Sequence, residues 1–115
     1  MNKVIAMLRH GFVSSSGKTP EFIAFTRIFR SEFSKVLKGL GCTDLECHNG
    51  HFYVYGFFNA ADGKTWYFNL GDVRGMWPEN QLLVRTAEHR KDWRGGPNQY
   101  ARLDSLAQEL ERITA

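Results

Sequence analysis

The sequence predicts an α+β domain: a helix, a three-stranded antiparallel meander, an irregular basic loop and a C-terminal helix, in α-β-β-β-α order. Three observations predict it. The run from Pro20 to Leu40 repeats apolar residues at helical period. The stretch CTDLECHNGHFYVYGFFNAADGKTWYFNLGDVR, from Cys42 to Arg74, places two turn signals, Asn49-Gly50 and Asp62-Gly63, between aromatic and β-branched segments. The segment from Asn98 to Ile113 returns to helical period.

A chain of 115 residues is long enough to bury a core of its own. Residues 1–18 read as an N-terminal segment and linker ahead of one α+β domain over 19–115. In the segment, VIAML is either a short helical turn or a strand docking on the sheet, and VSSSGK is loop-like. The Gly17-Lys18-Thr19 triplet lacks the glycine spacing of a phosphate-binding loop. No signal peptide is read in MNKVIAMLRHGF and no run reaches membrane-spanning length, so a cytoplasmic protein with reduced thiols and no membrane contact is expected.

The first long helix starts well: Thr19 is a suitable N-cap, Pro20 sits where a missing N–H costs nothing, and Glu21 favours the positive helix end. Phe22, Phe25, Phe29, Phe33, Val36, Leu37 and Leu40 share one face, and Gly41 closes the element. That aromatic face is expected to cover one side of the meander. The opposite face shows Arg27, Arg30, Ser31, Ser34, Lys35 and Lys38.

Two-residue turns would set the meander's register. His48 then faces His51, Cys47 faces Phe52, Phe58 faces Tyr67, and Phe57 faces Phe68. One face carries Leu45, Cys47, Phe52, Val54, Phe58 and Tyr67. The other carries Glu46, His48, His51, Tyr53, Tyr55, Phe57, Trp66, Phe68 and Leu70. Two apolar faces require two covers, so the chain is expected as a monomer or a homodimer.

Beyond Arg74, Leu82 to Arg85 is either a fourth strand or one turn of helix. The stretch between Arg85 and Arg102 interleaves Arg90, Lys91 and Arg94 with Trp93 and Tyr100, and Gly95-Gly96-Pro97 breaks any helix begun at Thr86. Asp92, among arginines, reads as a salt-bridge partner. The final helix, with Leu103, Leu106, Leu110 and Ile113 on one face, is expected beside the first helix on the same side of the sheet.

The net charge is +3, which permits nucleic acid without requiring it. Cys42, Cys47, His48 and His51 are zinc-type ligands, but Cys47 and His48 point to opposite faces of a strand. No metal, cofactor, nucleophile pair or carboxylate pair is assigned, and a non-enzyme is expected. Arginine and aromatic side chains are the usual hot-spot types, so Arg90, Trp93, Arg94 and Tyr100 are the candidate partner-binding residues. Arg27, Arg30 and Lys38 are candidate contacts to phosphates or an acidic protein surface.

Two resemblances bear on function. The order helix, meander, loop, helix resembles the topology of double-stranded-RNA-binding domains, but the place of that family's lysine cluster reads PNQYARLDSL, with Arg102 its one basic residue. The segments GHFYVYGF, WYFNLGDVR and LLVRTAEHRKDWRGGPNQY resemble small phage and mobile-element proteins of the anti-CRISPR inhibitor type. That resemblance implies a small inhibitor or adaptor that binds a bacterial nucleic-acid-handling complex, a CRISPR effector among them. The alternatives are a direct nucleic-acid-binding protein and a small structural homodimer.

Overall fold

The computed structural model describes residues 1–10, 20–73, 81–92 and 94–115. The elements are α1 (Asn2–His10), α2 (Pro20–Gly39), β1 (Thr43–Asn49), β2 (Val54–Asn59), β3 (Thr65–Leu70), β4 (Gln81–Ala87), β5 (Gln99–Arg102), a 3-10 turn (Leu103–Ser105) and α3 (Leu106–Thr114). The fold is α+β as expected, but the antiparallel sheet has five strands in chain order where a three-stranded meander and a basic loop were read. The N-terminal VIAML segment is helical, with Val4 and Leu8 in the same core as α2. The Val4 N–H donates to the Glu32 carboxylate of α2 at 2.9 Å, which caps the start of α1. The linker read at 13–18 and the N-cap at Thr19 lie outside the described residues.

α2 forms as its period demands. Phe22, Phe25, Phe29, Phe33 and Leu37 are buried, and the rings pack in sequence along the helix, with Phe29 and Phe33 at 5.2 Å between centroids. The end is a Schellman motif: the Cys42 N–H donates to the Leu37 carbonyl at 2.9 Å and the Gly41 N–H to the Lys38 carbonyl at 3.1 Å. Gly41 supplies the left-handed residue, at φ 75°.

The ridge of rings lands on β2 and β3. Phe33 meets Phe68 at 4.9 Å and Phe58 at 6.0 Å, both edge-to-face, and Phe29 meets Phe68 at 6.2 Å. α3 touches α2 and β5, so the helices lie on one side of the sheet, as expected. Leu103, Leu106, Leu110 and Ile113 join the same core cluster.

Neither hairpin turn sits where it was expected: the first is a two-residue loop, but the Gly50 N–H donates to the Tyr53 carbonyl at 2.8 Å, which moves the loop to His51-Phe52, and the second is one residue longer. At the second, the Ala60 N–H donates to the Lys64 carbonyl and the Gly63 N–H to the Ala60 carbonyl, a three-residue loop in which Gly63 alone has positive φ. Asn59 therefore pairs with Thr65, Phe58 with Trp66 and Phe57 with Tyr67. The single-residue slip inverts β3: Trp66, Phe68 and Leu70 point to the helices, and Tyr67 points away. At the first turn, Asn49 pairs with Val54 and His48 with Tyr55, and the left-handed residue is Phe52, at φ 59°. Phe52 is held there because its ring packs on Phe22 at 5.0 Å and its carbonyl accepts from the Val73 N–H at 2.9 Å. Burial of the ring offsets the strain of that conformation.

The last helix is shorter than Asn98 to Ile113. Gln99–Arg102 instead extends the sheet beside β4, with Ala101 facing the core. Gly95 and Gly96 permit that return, since a Cβ at either would overlap Thr86, its carbonyl oxygen in one case and its hydroxyl in the other.

Phe33→Ala removes the ring that joins α2 to β2 and β3, and is expected to cost about 3–5 kcal/mol in urea unfolding. Gly41→Ala is expected to cost about 1 kcal/mol through its left-handed backbone. Truncating Ile23, which is 39% exposed, is expected to stay within about 0.5 kcal/mol.

Candidate binding face

Because the helices take one side, the other side of the sheet has no helical cover among the described residues. The registers align its side chains in rows across the strands. One row runs His48, Tyr55, Asn69, Leu83, Tyr100, taking one residue from each of the five strands. At about 4.8 Å per strand it spans about 19 Å. The next row runs Glu46, Phe57, Tyr67, Arg85.

The second row is closed over. Phe57 and Tyr67 are buried, with centroids 5.5 Å apart, and the Arg85 guanidinium lies 4.5 Å from the centre of the Tyr67 ring. Arg90 reaches back over the start of the sheet. It donates to the Phe57 carbonyl at 3.3 Å and to Asn59 Oδ1 at 3.0 Å, and stands 3.6 Å from the Glu46 carboxylate.

The first row is open. Tyr100 is 52% exposed and Tyr53, beyond the end of β2, 36%. Tyr55 bridges the rings of His48, at 5.4 Å, and Tyr53, at 5.5 Å. The His48 Nε2 lies 2.6 Å from a Glu46 carboxylate oxygen.

The segment after β4 is built rather than slack. Among the described residues Asp92 forms no ion pair, where a salt-bridge partner was expected. Its carboxylate accepts from the backbone N–H groups of Glu88, Arg94 and Gly95 at 3.0, 3.1 and 3.0 Å. Those three bonds hold its carboxyl down at about 2.

The sequence-derived candidates therefore separate. Arg90 holds the loop to β1 and β2. Arg94 and Tyr100 are exposed, and Trp93 lies outside the described residues. Arg27, Arg30 and Lys38 are exposed on α2, beside β1, at the opposite edge of the sheet from Tyr100. Tyr53, Tyr55 and Leu83 were not singled out from the sequence. The signal for the face was present in β3, where Thr65, Tyr67 and Asn69 alternate with Trp66, Phe68 and Leu70.

The zinc-type residues are not gathered. Cys42 is buried, Cys47 faces α2, and His48 faces away from it. Among the described residues no group of three or more histidines, cysteines and carboxylates is placed to hold a metal ion. Burial pushes the Cys47 thiol up to about 11, against the pull of Arg30, so it stays protonated near neutral pH and is a poor nucleophile. No described helix is long and apolar enough to cross a membrane. Scans against protein-family models, curated proteins and solved structures find no match to this chain.

Two outcomes follow from the loop. Arg90→Ala is expected to accelerate amide exchange in residues 88–92 and 94–96 while α2 amides keep their protection. The Asp92 carboxyl lies below the ordinary aspartate value, so its contribution is complete above that value and lost as pH falls through about 2. The Glu88 and Gly95 amide resonances should titrate with that midpoint, and Asp92→Ala should abolish the transition.

Proposed function

We propose that this chain acts by contact, as a small inhibitor or adaptor of a bacterial nucleic-acid-handling protein complex of the anti-CRISPR kind, and performs no catalytic step itself. The observation that carries the reading is the open row of the sheet, where Tyr55, Asn69, Leu83 and the half-exposed Tyr100 follow one another across the strands with no helix over them among the described residues. Tyrosines offer large contact area at low entropic cost, and arginine is the cation most enriched at protein hot spots. Arg94, exposed on the loop between β4 and β5, supplies one. The loop's own hydrogen bonds present it in a fixed conformation, which lowers the ordering cost of binding. The resemblance of the β2, β3 and β4–β5 segments to anti-CRISPR-type proteins supplies the class of target.

A second reading, direct binding of single-stranded nucleic acid, is favoured by the ring cluster of His48, Tyr55 and Tyr53 on the same face, since bases stack on such rings. The two readings separate on salt. A phosphate-dependent complex weakens steeply with ionic strength, and a tyrosine-centred protein contact much less.

Expression of the chain in bacteria carrying an active CRISPR effector is expected to restore transformation by a targeted plasmid. Tyr100→Ala combined with Arg94→Glu is expected to reduce that protection by about tenfold or more, with an unchanged thermal midpoint. If the chain protects against no effector class and co-elutes with none of the purified effectors, the reading is wrong. Retention of single-stranded oligonucleotides at low salt, lost at high salt, would replace it with the second.

A further inference from the structure

α2 lies over β1 and runs antiparallel to it. Arg27 and Arg30 stand beside Cys47, His48 and Asn49, and Lys38 beside Cys42, Thr43, Asp44 and Leu45. Two grooves between the helix and the strand, of ≈ 410 Å3 at the Arg27–Arg30 end and ≈ 300 Å3 at the Lys38 end, follow this edge. β1 is an edge strand: among the described residues only β2 pairs with it, so alternate N–H and C=O groups point outward. From Glu46 to Asn49 its pairing with β2 is regular, and the irregularity at Asp44 lies near its other end.

The charge beside this edge is positive. Arg27, Arg30 and Lys38 are all exposed, and among the described residues none of them forms an ion pair. Glu46 lies on the far face against His48 and Arg90. Asp44 accepts hydrogen bonds from Thr43 and Asn59, but these neutral donors do not cancel its charge, so it offsets part of the Lys38 charge and the positive excess is strongest at Arg27 and Arg30.

We propose that the β1 edge and the Arg27–Arg30–Lys38 stripe form one docking groove, which takes an extended acidic segment of a protein partner as a sixth strand. The dimensions agree. From Arg27 to Lys38 the helix rises about 16 Å, the length of about five strand residues. A strand laid along β1 turns every second side chain towards α2, so alternating acidic residues would meet the three cations in turn. The exposed Ile23 at the Arg27 end offers an apolar contact to the same segment. A second copy of this chain is disfavoured as occupant, because pairing two β1 edges would bring two basic stripes together. The groove is distinct from the open sheet face, so this proposal stands or falls apart from the function proposed above.

The test uses the full chain and a capped synthetic peptide of about eight residues that alternates Glu with Val. In two-dimensional amide NMR spectra, the peptide is expected to shift the Leu45 to Asn49 amides together with those of Arg27 and Arg30. Methylating alternate peptide nitrogens, on the edge that would pair with β1, should abolish the β1 shifts. The variant with Arg27→Glu, Arg30→Glu and Lys38→Glu should bind the peptide about tenfold more weakly or worse, and should instead accept the peptide with Lys in place of Glu. These side chains are exposed, so unchanged core resonances report that the variant is folded. The proposal is overturned if β1 amides do not move at about 2 mM peptide, if the methylated peptide binds as well, if the Lys peptide binds the natural chain equally, or if only an oligonucleotide moves these resonances.

Discussion

The packing of Phe33 and Phe29 onto Phe68 decides the rest of this structure. An Asp-Gly pair serves a two-residue hairpin loop or the end of a three-residue one, so turn chemistry alone leaves the β2–β3 register open. Burial closes it. Trp66, Phe68 and Leu70 are all buried on the helical side, and a one-residue slip would turn all three away. At about 1.5–3 kcal/mol for each side chain, the slip forfeits an amount comparable with the stability of a whole domain. The same choice leaves Tyr67 and Asn69 on the other face, so the core's register also composes the candidate binding face.

What the sequence disclosed follows from where each preference resides. α2 was legible because its period, Pro20 and Glu21 in its first turn and its closing glycine all agree, although it ends at Gly39, one residue before the expected Leu40. The left-handed Phe52 was not, since residues distant in the chain, the Phe22 ring and the Val73 N–H, hold it there. β5 has no pattern strong enough to identify it: Gln99–Arg102 is ordered by the neighbouring strand, with Leu83 opposite Tyr100. Asp92 was misassigned because charge composition favours its arginine neighbours, whereas the turn brings three backbone donors to it first. Of the candidate contact residues, the sequence found Arg94 and Tyr100 by type but could not separate them from Arg90, whose guanidinium is spent on the Phe57 carbonyl and Asn59.

Arg90 also explains why a loop with so many charges stays ordered over an aromatic row. Each of its partners belongs to β1 or β2, on the far side of the sheet from the strand that carries the loop. The segment is thus tied at both ends: at Thr86, whose carbonyl accepts from Gly96, and across the sheet at Asn59. Phe57 and Tyr67 are dry beneath it, while Tyr55 and Tyr100, one row away, are not. On this face the cover over the aromatic row comes from two arginines, Arg90 at the Phe57 carbonyl and Arg85 over the Tyr67 ring, rather than from a change in residue hydrophobicity.

The two edges of the sheet are guarded differently. β5 is four residues long and runs directly into the 3-10 turn, where Arg102 pairs with Asp104 at 2.7 Å, so little of it is available as a template. β1 is longer, and its protection is uneven. The bulge at Asp44 disrupts one end, and among the described residues the remainder is shielded by the positive charge of α2. Charge differs from a bulge as a guard, because it repels some strands and attracts others. A basic edge stays unpaired against its own copies and against basic segments, yet its outward backbone groups remain available to a strand of opposite sign. The features that protect the β1 edge from self-association are the same features that make it selective.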